Sequence, residues 1–276
     1  MIIYFCVVLE FGKENRTTSL MKIIALHEGS YSVDISKEFI PFDPAIHQIK
    51  DRPASLFIHV QPFLVKTANE LIVLDTGLGY KDEQGELVIH GQIRQAGFDP
   101  GEVTWVLMSH LHIDHAGGMV FECDGQLRPS FPKATYVIQK EEWNMALNYP
   151  SASYNPKMLM VLQEYGCVQL VEGSGNLNED IRYELTGGHC QFHQVFWIQE
   201  KGEIVFFGGD VLPESVQLLR KFIAKYDFDG HKAMELRQEY GQRAAAEKWI
   251  CLFYHARSNA IAQVAFEDQK FKILPI

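Results

Sequence analysis

The chain of 276 residues is 47% hydrophobic and 22% charged, with a formal net charge of −10. That is length enough for one large domain or two small ones around a buried core. The negative balance, with no Lys/Arg-rich run, argues against nucleic acid as a partner, because phosphate recognition wants a basic face. No apolar stretch approaches the roughly 18 residues of a membrane span.

Five cysteines, Cys6, Cys123, Cys167, Cys190 and Cys251, are widely spaced and include no Cys-x-x-Cys. Neither a disulfide framework nor a zinc ribbon is suggested, and a reducing cytoplasm is the expected location. Residues 1–9 are apolar but lack the basic start of a secretion signal. Residues 1–20 therefore read as an appendage outside the core, and 21–276 as the main domain. Asn15-Arg16-Thr17 fits a glycosylation pattern that stays idle without secretion.

Strands are expected at 22–26, 54–60 and 63–66, with a Pro- and Asp-bearing loop over 41–53. Leu71-Ile72-Val73-Leu74 is a short buried run that leads into Asp75-Thr76-Gly77, and an acid directly after a buried strand needs a partner. A helix follows over 90–96, stopped by Gly97 and Pro100.

The run Trp105-Val106-Leu107-Met108 then leads into Ser109-His110-Leu111-His112-Ile113-Asp114-His115-Ala116-Gly117-Gly118. A lone histidine is ordinarily a surface or hydrogen-bonded core residue. Three imidazoles and a carboxylate within six residues, at the end of a buried strand, are a different matter. Alternate positions of an extended chain point the same way, so His110 and His112 can share one metal. Asp114 and His115 follow where the chain leaves the strand and can turn toward a second ion. Imidazole nitrogen and carboxylate oxygen are the usual non-sulfur donors to zinc.

Further along, 134–139 reads as a strand and 140–147 as a helix with acids in its first turn. The segment 148–175, with Pro150, Pro156, Tyr149 and Tyr154 and an amphipathic stretch at 157–165, is either a surface helix pair or a lid facing substrate. Strand 181–186 precedes Gly187-Gly188-His189, and Cys190 beside it is either a small buried hydrophobe or a reactive thiol. After a strand at 195–198, Ile204-Val205-Phe206-Phe207 ends in Gly208-Gly209-Asp210. A helix is expected over 231–248 behind Asp229-Gly230, and the apolar run Trp249-Ile250-Cys251-Leu252-Phe253-Tyr254 ends in His255. There is no internal repeat and no low-complexity tract.

Several strands thus end in a residue that a core would reject: Asp75, His110, Asp210 and His255, with His189 two glycines beyond another. In sheets flanked by helices, sites form where the carboxyl ends of strands converge. The recurrence joins these distant residues to the histidine cluster.

The motifs Leu74-Asp75-Thr76-Gly77, His110-x-His112-x-Asp114-His115, Thr186-Gly187-Gly188-His189, Gly209-Asp210 and Tyr254-His255 together resemble the metallo-β-lactamase-fold hydrolases. The resemblance implies an α/β fold, a four-layer αβ/βα sandwich of two mixed sheets packed face to face with helices outside. It also implies two divalent metal ions, zinc first, with manganese, iron or cobalt as alternatives. His110, His112 and His189 would hold one metal, Asp114, His115 and His255 the other, and Asp210 would bridge both. Asp75 would orient ligands by hydrogen bonds. A hydroxide shared by the ions would be the nucleophile, with Asp114 as the catalytic proton carrier.

The expected function is cleavage of a small ester, lactone or related phosphoester. The nearest branch is that of the N-acyl homoserine lactonases and related esterases. Those lactonases place a tyrosine three positions after the bridging aspartate, where this chain has Pro213; Tyr80, Tyr149, Tyr154 and Tyr226 are the candidates to replace it. The rivals are iron-dependent redox chemistry on the same fold and a glyoxalase-II-type thioesterase. Specificity is expected in loops such as 78–96 and 141–175. The partner is a small-molecule substrate, and a homodimer would form through 1–20 or the aromatic-rich 143–165.

Overall fold

A computed structural model of the chain describes residues 8–9, 21–149 and 151–276. Two seven-stranded sheets form its centre. The first runs in the order Val8–Leu9, Lys22–Ala25, Phe63–Lys66, Leu71–Leu74, Trp105–Leu107, Thr135–Gln139 and Val168–Val171. Its early strands pair antiparallel, and those from Leu71–Leu74 onward pair parallel. The second runs Gly175–Asn176, Ile181–Leu185, Gln194–Glu200, Glu203–Phe207, Ile250–Leu252, Ile261–Glu267 and Lys270–Pro275. It is antiparallel except where Glu203–Phe207 meets Ile250–Leu252.

Side-chain alternation explains the layering. Phe63, Leu74, Leu107 and Val137 of the first sheet pack with Phe196, Val205, Phe207 and Leu252 of the second in one buried cluster. The intervening residues Leu64, Val73, Val106 and Tyr136 point the other way. There they meet helices α1 (Val88–Gln95), α3 (Lys140–Asn148) and α4 (Pro156–Tyr165), through Ile89, Ile93, Trp143, Leu159 and Leu162. The single turn α2 (Ile113–Ala116) lies between α1 and α3 in the chain. The outer face of the second sheet is covered by α5 (Gly230–Glu247), whose Tyr240 and Ala244 join Trp197, Phe206 and Trp249. Strands covered on both faces read as unbroken apolar runs, and Leu71–Leu74 is one. The αβ/βα sandwich expected from the motifs is the architecture observed.

Two smaller pieces were not evident in the sequence. A three-stranded sheet joins Gly29–Val33 and Phe39–Pro41, neither of which was expected as a strand, to Leu56–Val60, which lies within the strand expected at 54–60. A hairpin of Val120–Cys123 and Gln126–Pro129 follows the histidine cluster. Val8–Leu9 pairs antiparallel with Ile23 and Ile24 at the edge of the first sheet. Cys6, Asn15-Arg16-Thr17, the remainder of 1–20 and Pro150 lie outside the described residues. Among the described residues no helix is long and apolar enough to cross a membrane.

Phe207 sits between the sheets, its ring 6.0 Å from that of Phe63 and 6.2 Å from that of Tyr254. Phe207→Ala removes a fully buried ring at the sheet–sheet contact and is expected to cost about 3–5 kcal/mol. Urea denaturation of variant and parent checks this, and a loss below about 1 kcal/mol would contradict the packing described.

Candidate metal centre

Parallel pairing delivers the site. Leu74 lies beside Leu107 in one parallel pair, and Phe207 beside Leu252 in another, so each pair releases its chains at one edge. Asp75 and the 109–115 segment leave together, with the Asp75 amide donating to the Leu107 carbonyl at 3.1 Å. Asp210 and His255 leave together from the other sheet. His189 arrives from the turn after Ile181–Leu185.

His112 is extended, and α2 begins at the next residue. His110 and His112 therefore project from an extended segment with ring centroids 4.5 Å apart, while Asp114 and His115 project from the helical turn. Donor atoms of His110, His112 and His189 lie within 4.8 Å of one another, as do those of Asp114, His115 and His255. Asp210 stands between the two groups. Its Oδ2 is 3.2 Å from His189 Nε2, and its Oδ1 is 3.2 Å from His115 Nε2 and 3.1 Å from His255 Nε2. Asp114 Oδ2 lies 3.5 Å from His255 Nε2 and 3.8 Å from His115 Nε2. The structure thus brings all seven candidate ligands together.

Asp75 also lies near His110 and His115, but its oxygens are already engaged. It accepts from the Ser109 amide at 2.7 Å, the Ser109 hydroxyl at 2.6 Å and His115 Nδ1 at 2.7 Å. Asp75 is at φ 54°, a left-handed conformation that the surrounding bonds hold in place.

The donor set fits divalent metal. His110 Nε2, His115 Nε2 and Asp210 Oδ1 are buried and find no hydrogen-bond partner among the described residues, although buried polar atoms ordinarily have one. Buried lone pairs left without a hydrogen bond suit a cation that accepts them. Burial, then the neighbouring imidazoles, hold His110 and His112 well below the usual histidine range, so both are neutral donors. Burial works against charge on His115, but Asp210, Asp114 and Asp75 outweigh it and raise its pKa well above the ordinary value. Burial likewise opposes the Asp210 carboxylate, yet His255, His115 and His189 hold it well below the ordinary range. The carboxylates call for positive charge where the two histidine groups meet.

Surrounding residues hold five of the seven candidate ligands. The His115 ring stacks on Tyr254 at 4.1 Å, and the Tyr254 hydroxyl donates to the Asp114 carbonyl at 2.7 Å. His255 Nδ1 donates to the His59 carbonyl at 2.7 Å. His189 Nδ1 pairs with Asp227 Oδ1 at 3.0 Å. Buried His193 accepts the Asp210 amide on Nε2 at 3.1 Å and meets Thr186 Oγ1 with Nδ1 at 3.0 Å. His193 and Asp227 were not singled out by sequence reasoning, and neither belongs to a motif or follows a strand directly. Two glycines permit the close approach. A Cβ on Gly209, at φ +47°, would stand 2.6 Å from Ser109 Cβ, and one on Gly118 would stand 2.2 Å from the Thr76 carbonyl oxygen.

A cleft of about 380 Å³ opens over His112, Asp114, His189, Asp210 and His255. Val33, Phe39, Leu56 and Ile58 of the small sheet form one wall, and Pro213, Phe222 and Tyr226 form the other. This differs from the expected specificity loops: 78–96 contributes nothing to the lining, and 141–175 contributes Ser153 alone. The reason is packing, since α3 and α4 place their apolar faces on the outer side of the first sheet. Of the four candidate tyrosines, Tyr226 lines the cleft, with its ring 6.0 Å from that of His189. Tyr154 packs its ring 5.4 Å from that of His112 while its hydroxyl donates to Glu142, Tyr80 donates to the Phe39 carbonyl, and Tyr149 is exposed. Cys190 is buried and donates to Glu142 Oε2 at 3.6 Å; burial, then Glu142, pushes its thiol well above the usual range, so it stays protonated.

The fold and ligand geometry define a class, and comparison with known proteins agrees. The metallo-β-lactamase superfamily model matches residues 58–255, and the chain belongs to that superfamily. Among particular relatives, an N-acyl homoserine lactonase, AttM of Agrobacterium fabrum, is 40% identical over 145 residues, covering 50% of this chain and 47% of that protein. The chain spans about half the length of the curated relatives it matches. Two solved structures share the fold. AbOPH, a hydrolase of the β-lactamase superfamily, has a TM-score of 0.74 at 21% identity, covering 100% of this chain and 99% of its own. AidC, a dizinc quorum-quenching lactonase in complex with a product, has a TM-score of 0.73 at 19% identity, covering 98% and 97%.

One buried acid beside the centre offers a pH test. Glu28 accepts from the Leu78 amide at 2.5 Å and the Tyr80 amide at 2.7 Å, pinning the loop that follows Asp75-Thr76-Gly77. Burial, partly offset by those amides, raises its pKa from 4.5 to about 7. The folded state therefore binds more protons than the unfolded state between these values, and its stability from this group falls as pH rises across that window. The stability of the parent relative to Glu28→Gln should decline by up to about 3 kcal/mol from pH 4.5 to 7, read by denaturant titrations at several pH values. A difference that does not change with pH would refute it.

Proposed function

We propose that residues 21–276 form a dinuclear metal-dependent hydrolase that cleaves a small ester, lactone or related phosphoester. The observation that carries this reading is the position of Asp210, with one oxygen toward His189 and the other toward His115 and His255. His110, His112 and His189 would hold one ion, Asp114, His115 and His255 the other, and Asp210 would bridge them. Zinc fits this donor set, and manganese, iron and cobalt share its preferences. When bound, such ions supply Lewis acidity that activates water and polarises a carbonyl or phosphoryl oxygen.

The chain's own residues complete the chemistry. Asp114 lines the cleft and has an oxygen between His115 and His255, so it can take a proton from the attacking water and return it to the leaving oxygen. Asp75 accepts the His115 Nδ1 proton and thereby leaves Nε2 to face the centre. The apolar walls suit the acyl part of a substrate and keep bulk water from the reacting carbonyl. At Pro213, where the lactonases carry a tyrosine, the carbonyl accepts the His255 amide at 2.9 Å, and Tyr226 is the tyrosine at hand in the cleft. The likeness to AttM and to the dizinc lactonase AidC supports lactones within the substrate class.

Metal-replete protein should hydrolyse at least one member of a panel of acyl lactones, aryl esters and phosphotriesters. His110→Ala and Asp210→Ala should each lower kcat/KM about 10³-fold or more, and metal analysis should find two divalent ions per chain. Undiminished turnover in both variants would defeat the proposal, and stoichiometric redox-active iron without hydrolysis would favour the oxidoreductase rival.

A further inference from the structure

We propose that Arg237 is a positioning residue that locks the His189 and Asp210 side of the metal centre to one wall of the substrate cleft. The inference rests on the hydrolase reading above. Arg237 lies within α5, and its side chain is buried. A guanidinium inside a protein costs several kcal/mol unless its donors are satisfied. Its buried neighbours on α5 are Ala233, Tyr240, Gly241 and Ala244, and apolar packing of that kind is enough to seat a helix. The charge calls for another explanation.

Each of its bonds reaches a different part of the site. Nε donates to the carbonyl of Val211, the residue after Asp210, at 2.6 Å. Nη1 donates to the carbonyl of Phe222, which lines the cleft, at 2.7 Å. Nη2 donates to Asp227 Oδ2 at 2.9 Å, and the other oxygen of Asp227 faces His189 Nδ1 at 3.0 Å. Because Oδ2 is taken, Oδ1 is left to accept the His189 proton. That tautomer directs the unprotonated Nε2 toward His112 Nδ1 at 3.1 Å and Asp210 Oδ2 at 3.2 Å. The guanidinium is a planar fork, so the three groups it holds cannot move independently. A lysine would supply the charge without fixing those directions.

Zinc binding tests this separately from turnover. The full-length chain and its Asp227→Asn, Arg237→Met and Arg237→Lys variants are titrated with zinc against a chromophoric chelator, with kcat and KM measured on one substrate. The parent should bind two zinc ions. Asp227→Asn and Arg237→Met should weaken one of the two by about 10- to 100-fold, with kcat falling and KM rising together, and Arg237→Lys should restore only part. Asp227→Asn retains both backbone bonds of Arg237, so it decides the matter if Arg237→Met fails to fold. Wild-type affinity for both ions in Asp227→Asn would overturn the inference while leaving the hydrolase reading intact. A parent chain that binds no zinc would overturn both.

Discussion

The structure is organised around a carboxylate that two groups of histidines share. Asp210 is buried, and a buried carboxylate is held in its charged form only by positive charge or several donors. Here its oxygens are divided between His189 on one side and His115 and His255 on the other. Everything nearby serves to make that division possible. Gly209 removes the side chain that would collide with Ser109, His193 fixes the Asp210 amide, and Asp75 turns His115 to face it. Each constraint comes from a different stretch of chain. The site therefore depends on the sandwich being assembled and cannot exist in any one motif alone.

Parallel pairing is what converts separate motifs into one centre. An antiparallel neighbour delivers its carboxyl end to the opposite edge, whereas a parallel neighbour delivers it to the same edge. In the first sheet Leu71–Leu74 and Trp105–Leu107 run together, and in the second Glu203–Phe207 and Ile250–Leu252 do so within an otherwise antiparallel arrangement. That single parallel pair in the second sheet places His255 beside Asp210. α5, inserted between those two strands, makes the crossover that parallel pairing demands.

Much of this was legible in residue order. Leu71–Leu74 stands where its apolar run places it, because a strand buried on both faces has no polar position to blur the signal. Polar residues at the ends of apolar runs marked Asp75, His110, Asp210 and His255, two glycines led to His189, and the spacing of the cluster marked His112, Asp114 and His115. The small sheet was obscured because Gly29–Val33, written Gly-Ser-Tyr-Ser-Val, carries few apolar residues, and Phe39–Pro41 is three residues long, partly exposed and ends in proline. The terminal hairpin was obscured by its turn: Asp268 and Gln269 both adopt left-handed backbone without a glycine to announce it. His193, Asp227 and Arg237 were hidden for another reason. Their roles are set by what they touch across the fold, and no local spacing encodes it.

The two walls of the cleft differ in kind. The wall built by Val33, Phe39 and Leu56 belongs to a small sheet that meets the candidate ligand His255 through a backbone group, the His59 carbonyl, whereas Phe222 and Tyr226 stand on a segment bonded through the Arg237 and Asp227 side chains to His189. The molecule thus has one face free to diversify and one that is frozen. Drift, or a directed library, can exchange side chains on the small sheet while the backbone carbonyl of His59 still holds His255. Changes on the opposite side carry over into the chemistry. A lineage of such chains would acquire new substrates from the small-sheet side and keep its reaction on the other.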